Sequence, residues 1–200
     1  MAFIHTIAED QAPPAVKQMY TEALQRMGYI PNYSKVFSHR PRVMEAWEML
    51  ASSVRAQMDL RRYELITLAA ARALRSSYCA LAHGTVLRNQ FFSSEELVAI
   101  AADYQSADLT PAEVAMMAFA EQIVRDATAI TQQDINELRT HGFSDAEIFD
   151  ITAAAAMRCF FSKTLDALGA EPDDVFLGLE KNLRQLLAIG RVFPRSAQRA

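Results

Sequence analysis

Two cysteines, six glycines, seven prolines and one tryptophan in 200 residues set the first limits on this chain. Two cysteines are too few for a disulfide scaffold, and Cys79 and Cys159 read as free thiols. Scarce glycine and proline exclude a collagen-like or low-complexity chain. With 51% apolar and 22% charged residues, the chain is not a disordered one either. No run approaches the ~18 consecutive apolar residues of a membrane span. Residues 1–10 have neither a basic start nor a long apolar core, so no signal peptide is read there and the cytoplasm is the expected compartment. Positive charge is also short, with a net charge of −4. The only basic candidate is the tail Arg184, Arg191, Arg195 and Arg199, too sparse to displace counterions from phosphates, so no nucleic-acid partner is expected. There is no glycine-rich dinucleotide loop, and His5, His39 and His141 sit in unrelated loops or helix ends. No flavin, haem or metal is therefore expected as a cofactor.

What is abundant is alanine, 34 residues of it, together with nine methionines. Alanine loses no side-chain entropy in a helix, so the composition favours helices. The punctuation agrees. Pro13 and Pro14 open an amphipathic run that Gly28 closes, followed by a loop from Tyr29 to Tyr33. Further helices are predicted over Pro41 to Arg55, Leu60 to Leu74 with Asp59 as cap, and Tyr78 to Arg88. Ser93 with Glu96, Thr110 with Glu113 and Ser144 with Glu147 are capping boxes, in which each side chain satisfies a free amide of the other. Thr131 opens a short helix ending at Gly142, and the last helices are expected over Asp145 to Leu168 and Asp173 to Ile189. No window alternates like a half-buried strand, so the fold is read as all-α with eight to ten helices.

A faint internal echo aligns Ile66–Ala71 with Ile151–Ala156. It is either chance in an alanine-rich chain or the trace of two related helical units. In the second case Phe149 takes the place of Glu64, and only the first unit can carry chemistry.

The stretch from Glu64 to Gly84 carries the chemistry. Cys79 and His83 stand four apart, hence on one helix face. With Ser76 as cap, Cys79 falls in the first turn, where unpaired amides and the positive end of the helix dipole stabilise a thiolate. A neighbouring imidazole can take the thiol proton. On one unbroken helix Glu64 would lie ~22 Å from Cys79. A turn at Leu74 to Ser77 would instead fold it back beside His83, where a carboxylate can orient the ring. A lone helical cysteine is also commonly a small buried hydrophobe, and that reading stays open for both Cys79 and Cys159.

The order Glu64, eleven residues, Ser76, two residues, Cys79, three residues, His83 resembles the AhpD-like superfamily, which includes alkylhydroperoxidase and carboxymuconolactone decarboxylase. That family's redox branch has Glu-x11-Cys-x2-Cys-x3-His, and here Ser76 stands where the first cysteine belongs. Ile30 to Tyr33, Ser38 to Pro41 with Trp47, and the alanine-rich helix before Leu168 and Gly169 are similar to its peroxidase-related subgroup. The resemblance implies one AhpD-like domain over 1–200, with a motif-bearing core at about 40–110, that assembles as a dimer, trimer or hexamer. It implies that Cys79 attacks a hydroperoxide substrate, with His83 and Glu64 as proton relay and a small or protein thiol as reductant. A serine at 76 cannot close the family's disulfide. The sulfenic acid on Cys79 is then resolved by an external thiol, or by Cys159, or the peroxide chemistry has been lost. A lactone decarboxylase or isomerase using His83 and Glu64 as acid and base, and a non-enzymatic oligomeric binding or stress protein, are the alternatives.

Overall fold

A computed structural model describes residues 2–191, which hold ten α-helices and no strand. These are α1 (Pro14–Met27), α2 (Asn32–Val36), α3 (Pro41–Arg55), α4 (Leu60–Ala73), α5 (Ser77–Gln90), α6 (Ser94–Asp103), α7 (Pro111–Asp126), α8 (Gln132–Thr140), α9 (Asp145–Ala167) and α10 (Lys181–Leu187). The fold is all-α, within the expected number of helices.

Helix ends fall where local chemistry puts them. Gly28 closes α1 in the left-handed region at φ 79°, a conformation glycine adopts without a side-chain clash. Asp59 accepts from the Arg62 amide at the start of α4, and both halves of the three expected capping boxes are formed.

Two expectations fail. Within the loop Tyr29–Tyr33, Pro31 presets its own φ at −62° and α2 starts at Asn32, whose amide donates to Asp173 at 2.7 Å. The single helix expected over Asp173 to Ile189 is broken into a 3-10 turn (Asp174–Gly178) and α10, joined by extended Leu179 and Glu180. Gly178, a poor helix former, marks the break, and the bend buries Phe176, Leu179, Leu183 and Leu187 together. Arg184 donates to the Leu177 carbonyl at 2.6 Å and the Leu179 carbonyl at 3.3 Å across it. Arg191 is likewise engaged, donating to the Asp166 carbonyl and lying over the Phe3 ring. Arg195 and Arg199 lie outside the described residues.

The core is organised around α4, which is buried without interruption from Tyr63 to Ala71 and packs against α5, α7 and α9. Its alanines let those helices approach closely. At Gly84 of α5 an added Cβ would meet Leu187 at 2.5 Å, so α10 rests directly on α5 there. The two helices of the sequence echo are packing partners, and Arg62 pairs with Glu147, its counterpart in the echo, at 3.0 Å. The likeness ends at the chemistry, because Glu64 is 4% exposed whereas Phe149 is 70% exposed.

Candidate active site

The turn between α4 and α5 builds the site. The Ser76 amide donates to the Ala71 carbonyl and the Arg75 amide to the Arg72 carbonyl, each at 2.9 Å. Those two bonds form a Schellman motif, with Arg75 at the left-handed position, φ 57°. The chain therefore reverses in three residues, and α5 runs back along α4.

This reversal brings Glu64 to His83. The imidazole Nδ1 donates to Glu64 Oε2 at 2.7 Å, and Nε2 accepts from Arg158 Nη1 at 3.0 Å. A guanidinium has only donors, so Nε2 is the acceptor and the ring proton sits on Nδ1, facing the carboxylate. Glu64, His83 and Arg158 thus form one hydrogen-bonded chain across α4, α5 and α9.

Cys79 is the third residue of α5, one turn before His83. It is 1% exposed and stands in the wall of a cavity of about 780 Å³ that Glu64, His83 and Arg158 also line. Among the described residues no hydrogen bond joins the thiol to His83, whose two ring nitrogens are already engaged. Ahead of it, Tyr78 donates to Asp173 and accepts from the Tyr33 amide at 3.3 Å, locking the start of α5 to α2 and to residues 171–178. Burial raises both the Tyr78 hydroxyl and the Asp173 carboxyl above their ordinary values, Asp173 in spite of its hydrogen bonds.

Ser76 occupies the N-cap of α5 without capping it through its side chain. The residue is completely buried outside the cavity wall, and its hydroxyl makes no well-formed hydrogen bond. It lies beside Asp166, whose carboxyl is pushed up by burial and only partly drawn back by Ser76 and Arg191. Cys159 follows Arg158 on α9, is half-buried and does not line the cavity.

Arg158 was not singled out by the sequence. It is 2% exposed, and its guanidinium carbon sits 5.0 Å from the Trp47 ring centre and 5.2 Å from that of Phe161. Trp47 and Phe161 are themselves stacked at 3.9 Å. Among the described residues no carboxylate lies within ion-pair distance of Arg158, its Nε has no partner, and neither does Trp47 Nε1. Each unpaired buried donor costs ~1–3 kcal/mol. The available signal was compositional: Arg158 is the only charged residue from Ile151 to Ser162. Among the described residues no three His, Cys, Asp or Glu side chains converge as a metal site requires.

Residues 41–122 match the carboxymuconolactone decarboxylase family, a segment running from α3 into α7 and containing Glu64, Cys79 and His83. No match was found among curated proteins. Among solved structures, a peroxidase-related protein with an alkylhydroperoxidase AhpD core from Ralstonia eutropha JMP134 is 26% identical, with a TM-score of 0.78 over 88% of this chain and 94% of that one. A peroxidase-related protein from Silicibacter sp. TM1040 is 22% identical, with a TM-score of 0.74 over 86% and 94%. The debrominase Bmp8, in complex with 2,3,4-tribromopyrrole, shares the fold at 17% identity, with a TM-score of 0.73 over 90% and 96%.

Proposed function

Because the chain belongs to the AhpD-like, carboxymuconolactone decarboxylase superfamily, we propose that it is a thiol peroxidase acting on organic hydroperoxides through Cys79. The observation that carries this reading is the placement of Cys79. It sits in the first turn of α5, in the wall of a large cavity, one turn from an imidazole held by Glu64. The thiolate attacks the distal peroxide oxygen, an S–O bond forms as the O–O bond breaks, and the leaving alkoxide takes a proton to depart as an alcohol. Cys79 is left as a sulfenic acid. Two reducing thiols then restore it, releasing water and forming their own disulfide. For His83 to carry the proton between thiol and leaving group, with Glu64 holding its Nδ1, the Arg158 hydrogen bond to Nε2 opens during turnover.

With Ser76 unable to form a disulfide, resolution falls to an external thiol entering through the cavity. Cys159, outside the cavity wall, serves only if α9 shifts. The same reading includes a cytoplasmic homo-oligomer. Its support is apolar surface on α3, where Val43, Met49 and Leu50 are exposed and Met49 also lines the cavity. One observation favours a second reading. The chain Glu64–His83–Arg158 is complete without the thiol, as an acid–base decarboxylase or isomerase would require.

The test is the rate of Cys79 oxidation by cumene hydroperoxide, followed by intact mass with a sulfenic-acid trap, in the wild type and in Cys79→Ser, Cys159→Ser and His83→Ala. Oxidation confined to Cys79, much faster than that of free cysteine and slowed ~10²-fold in His83→Ala, is expected. A Cys79 no faster than free cysteine overturns the peroxidase in favour of the acid–base enzyme.

A further inference from the structure

Two unpaired N–H donors belong to residues that line one cavity. Arg158 spends Nη1 on His83, which leaves the opposite, side-on edge of its guanidinium, Nε with Nη2, unused among the described residues. Beside it Trp47 Nε1 is also buried and unpaired. Both residues line the cavity, and the guanidinium charge has no carboxylate within ion-pair distance among the described residues. Native structures rarely leave buried donors and a buried charge in this condition, and a concentration of them at one cavity marks the place of an acceptor that arrives with a ligand.

We propose that the cavity binds an organic carboxylate with a flat, unsaturated body, and that Arg158 is the residue that selects it. The side-on edge of a guanidinium matches the two oxygens of a carboxylate in spacing and plane. Trp47 Nε1 supplies a further donor from the neighbouring wall. A single guanidinium balances one negative charge, which favours a carboxylate over a phosphate dianion. Trp47, stacked on Phe161, and Tyr63 give the cavity an aromatic lining that suits an aromatic or conjugated body. The carboxylate takes the edge of Arg158 that points away from His83, so binding does not itself break the Glu64–His83–Arg158 chain. The inference deepens the peroxidase reading and rests on it for turnover. The substrate class becomes carboxylate-bearing organic hydroperoxides, with the thiolate attack and the two-thiol reduction unchanged. The binding step does not depend on that reading.

Trp47 is the only tryptophan of the chain and reports on the cavity directly. Its fluorescence is titrated with benzoate and with benzyl alcohol, a neutral molecule of the same shape, in the wild type, Arg158→Lys and Arg158→Gln. Neither probe reacts with a thiol, so the outcome is independent of whether Cys79 reduces peroxides. Benzoate is expected to bind the wild type ~10- to 100-fold more tightly than benzyl alcohol. In Arg158→Gln that preference disappears while benzyl alcohol still binds, which shows that the cavity remains formed. Arg158→Lys keeps the charge without the side-on edge and retains only part of the preference. Equal binding of the two probes in the wild type, binding of neither, or a preference that survives undiminished in both Arg158 variants overturns the proposal.

Discussion

At the scale of the residue, His83 is the pivot, with Glu64 holding one ring nitrogen and Arg158 the other. Glu64→Gln keeps the volume but removes the charge, and its amide can present N–H to a nitrogen that already carries the proton. We expect the rate of Cys79 oxidation to fall by ~10²-fold or more, with the folded state retained. Stopped-flow oxidation beside circular dichroism measures both, and an unchanged rate would remove Glu64 from the proton path. Three of these residues were legible in the sequence. Cys79 and His83 share a helix face by spacing alone, and Glu64 needs only one turn to reach them. Arg158 was not legible, because it lies 75 positions from His83 and meets it only when α9 docks. Nor does any pattern foretell that Ser76 leaves its cap unmade, since that depends on what buries the hydroxyl.

At the scale of the element, the turn joining α4 to α5 decides whether the site exists. Arg75 holds the left-handed position that glycine takes most readily, and its side chain is exposed. A non-glycine residue is strained there by ~1–2 kcal/mol. Arg75→Gly is therefore expected to stabilise the protein by ~0.5–1 kcal/mol, the relief being partly offset by the greater entropy of glycine in the unfolded chain. Chemical denaturation tests this, and a loss of stability would mean that the Arg75 side chain contributes something beyond its backbone angle. Element boundaries carried by side-chain caps were legible, as Ser93, Thr110 and Ser144 show. The break at Gly178 was not, because the apolar spacing of Phe176, Leu179 and Leu183 fits both a continuous helix and a bent segment over the same core.

At the scale of the whole molecule, ion pairs between helices give stability a dependence on pH. Arg61 Nε on α4 donates to Glu113 on α7 at 2.6 Å, and Thr110 donates to the same carboxylate. Burial alone pushes Glu113 up, but the hydrogen bonds from Arg61 and Thr110 bring it below its ordinary value of 4.5. A carboxyl held lower in the folded state contributes stability that is present above the unfolded value and lost as pH falls through the folded one. Asp173, raised by burial, has the opposite sign and loses stability as pH rises through its folded value. Glu113→Gln is thus expected to be less stable than the wild type at pH 7 and to lose less on acidification below 4.5. Denaturant midpoints from pH 7 to pH 3 read the difference, and parallel curves would show that Glu113 is not a source of the acid limb. The all-α class was legible at this scale because periodicity and caps are local. The meeting of α4, α5 and α9 around one cavity was not, because close packing across long sequence separations decides it.

Ser76 lies fully buried where the C-terminal segment crosses the start of α5. The Gly190 amide donates to Ser77 Oγ at 2.9 Å, and a Cβ on Gly190 would fall 1.8 Å from the Arg75 carbonyl oxygen. In terms of access, position 76 is closed to a second thiol. A Ser76→Cys substitution would place a thiol in a fully buried position outside the cavity wall, beyond the reach of a reducing protein.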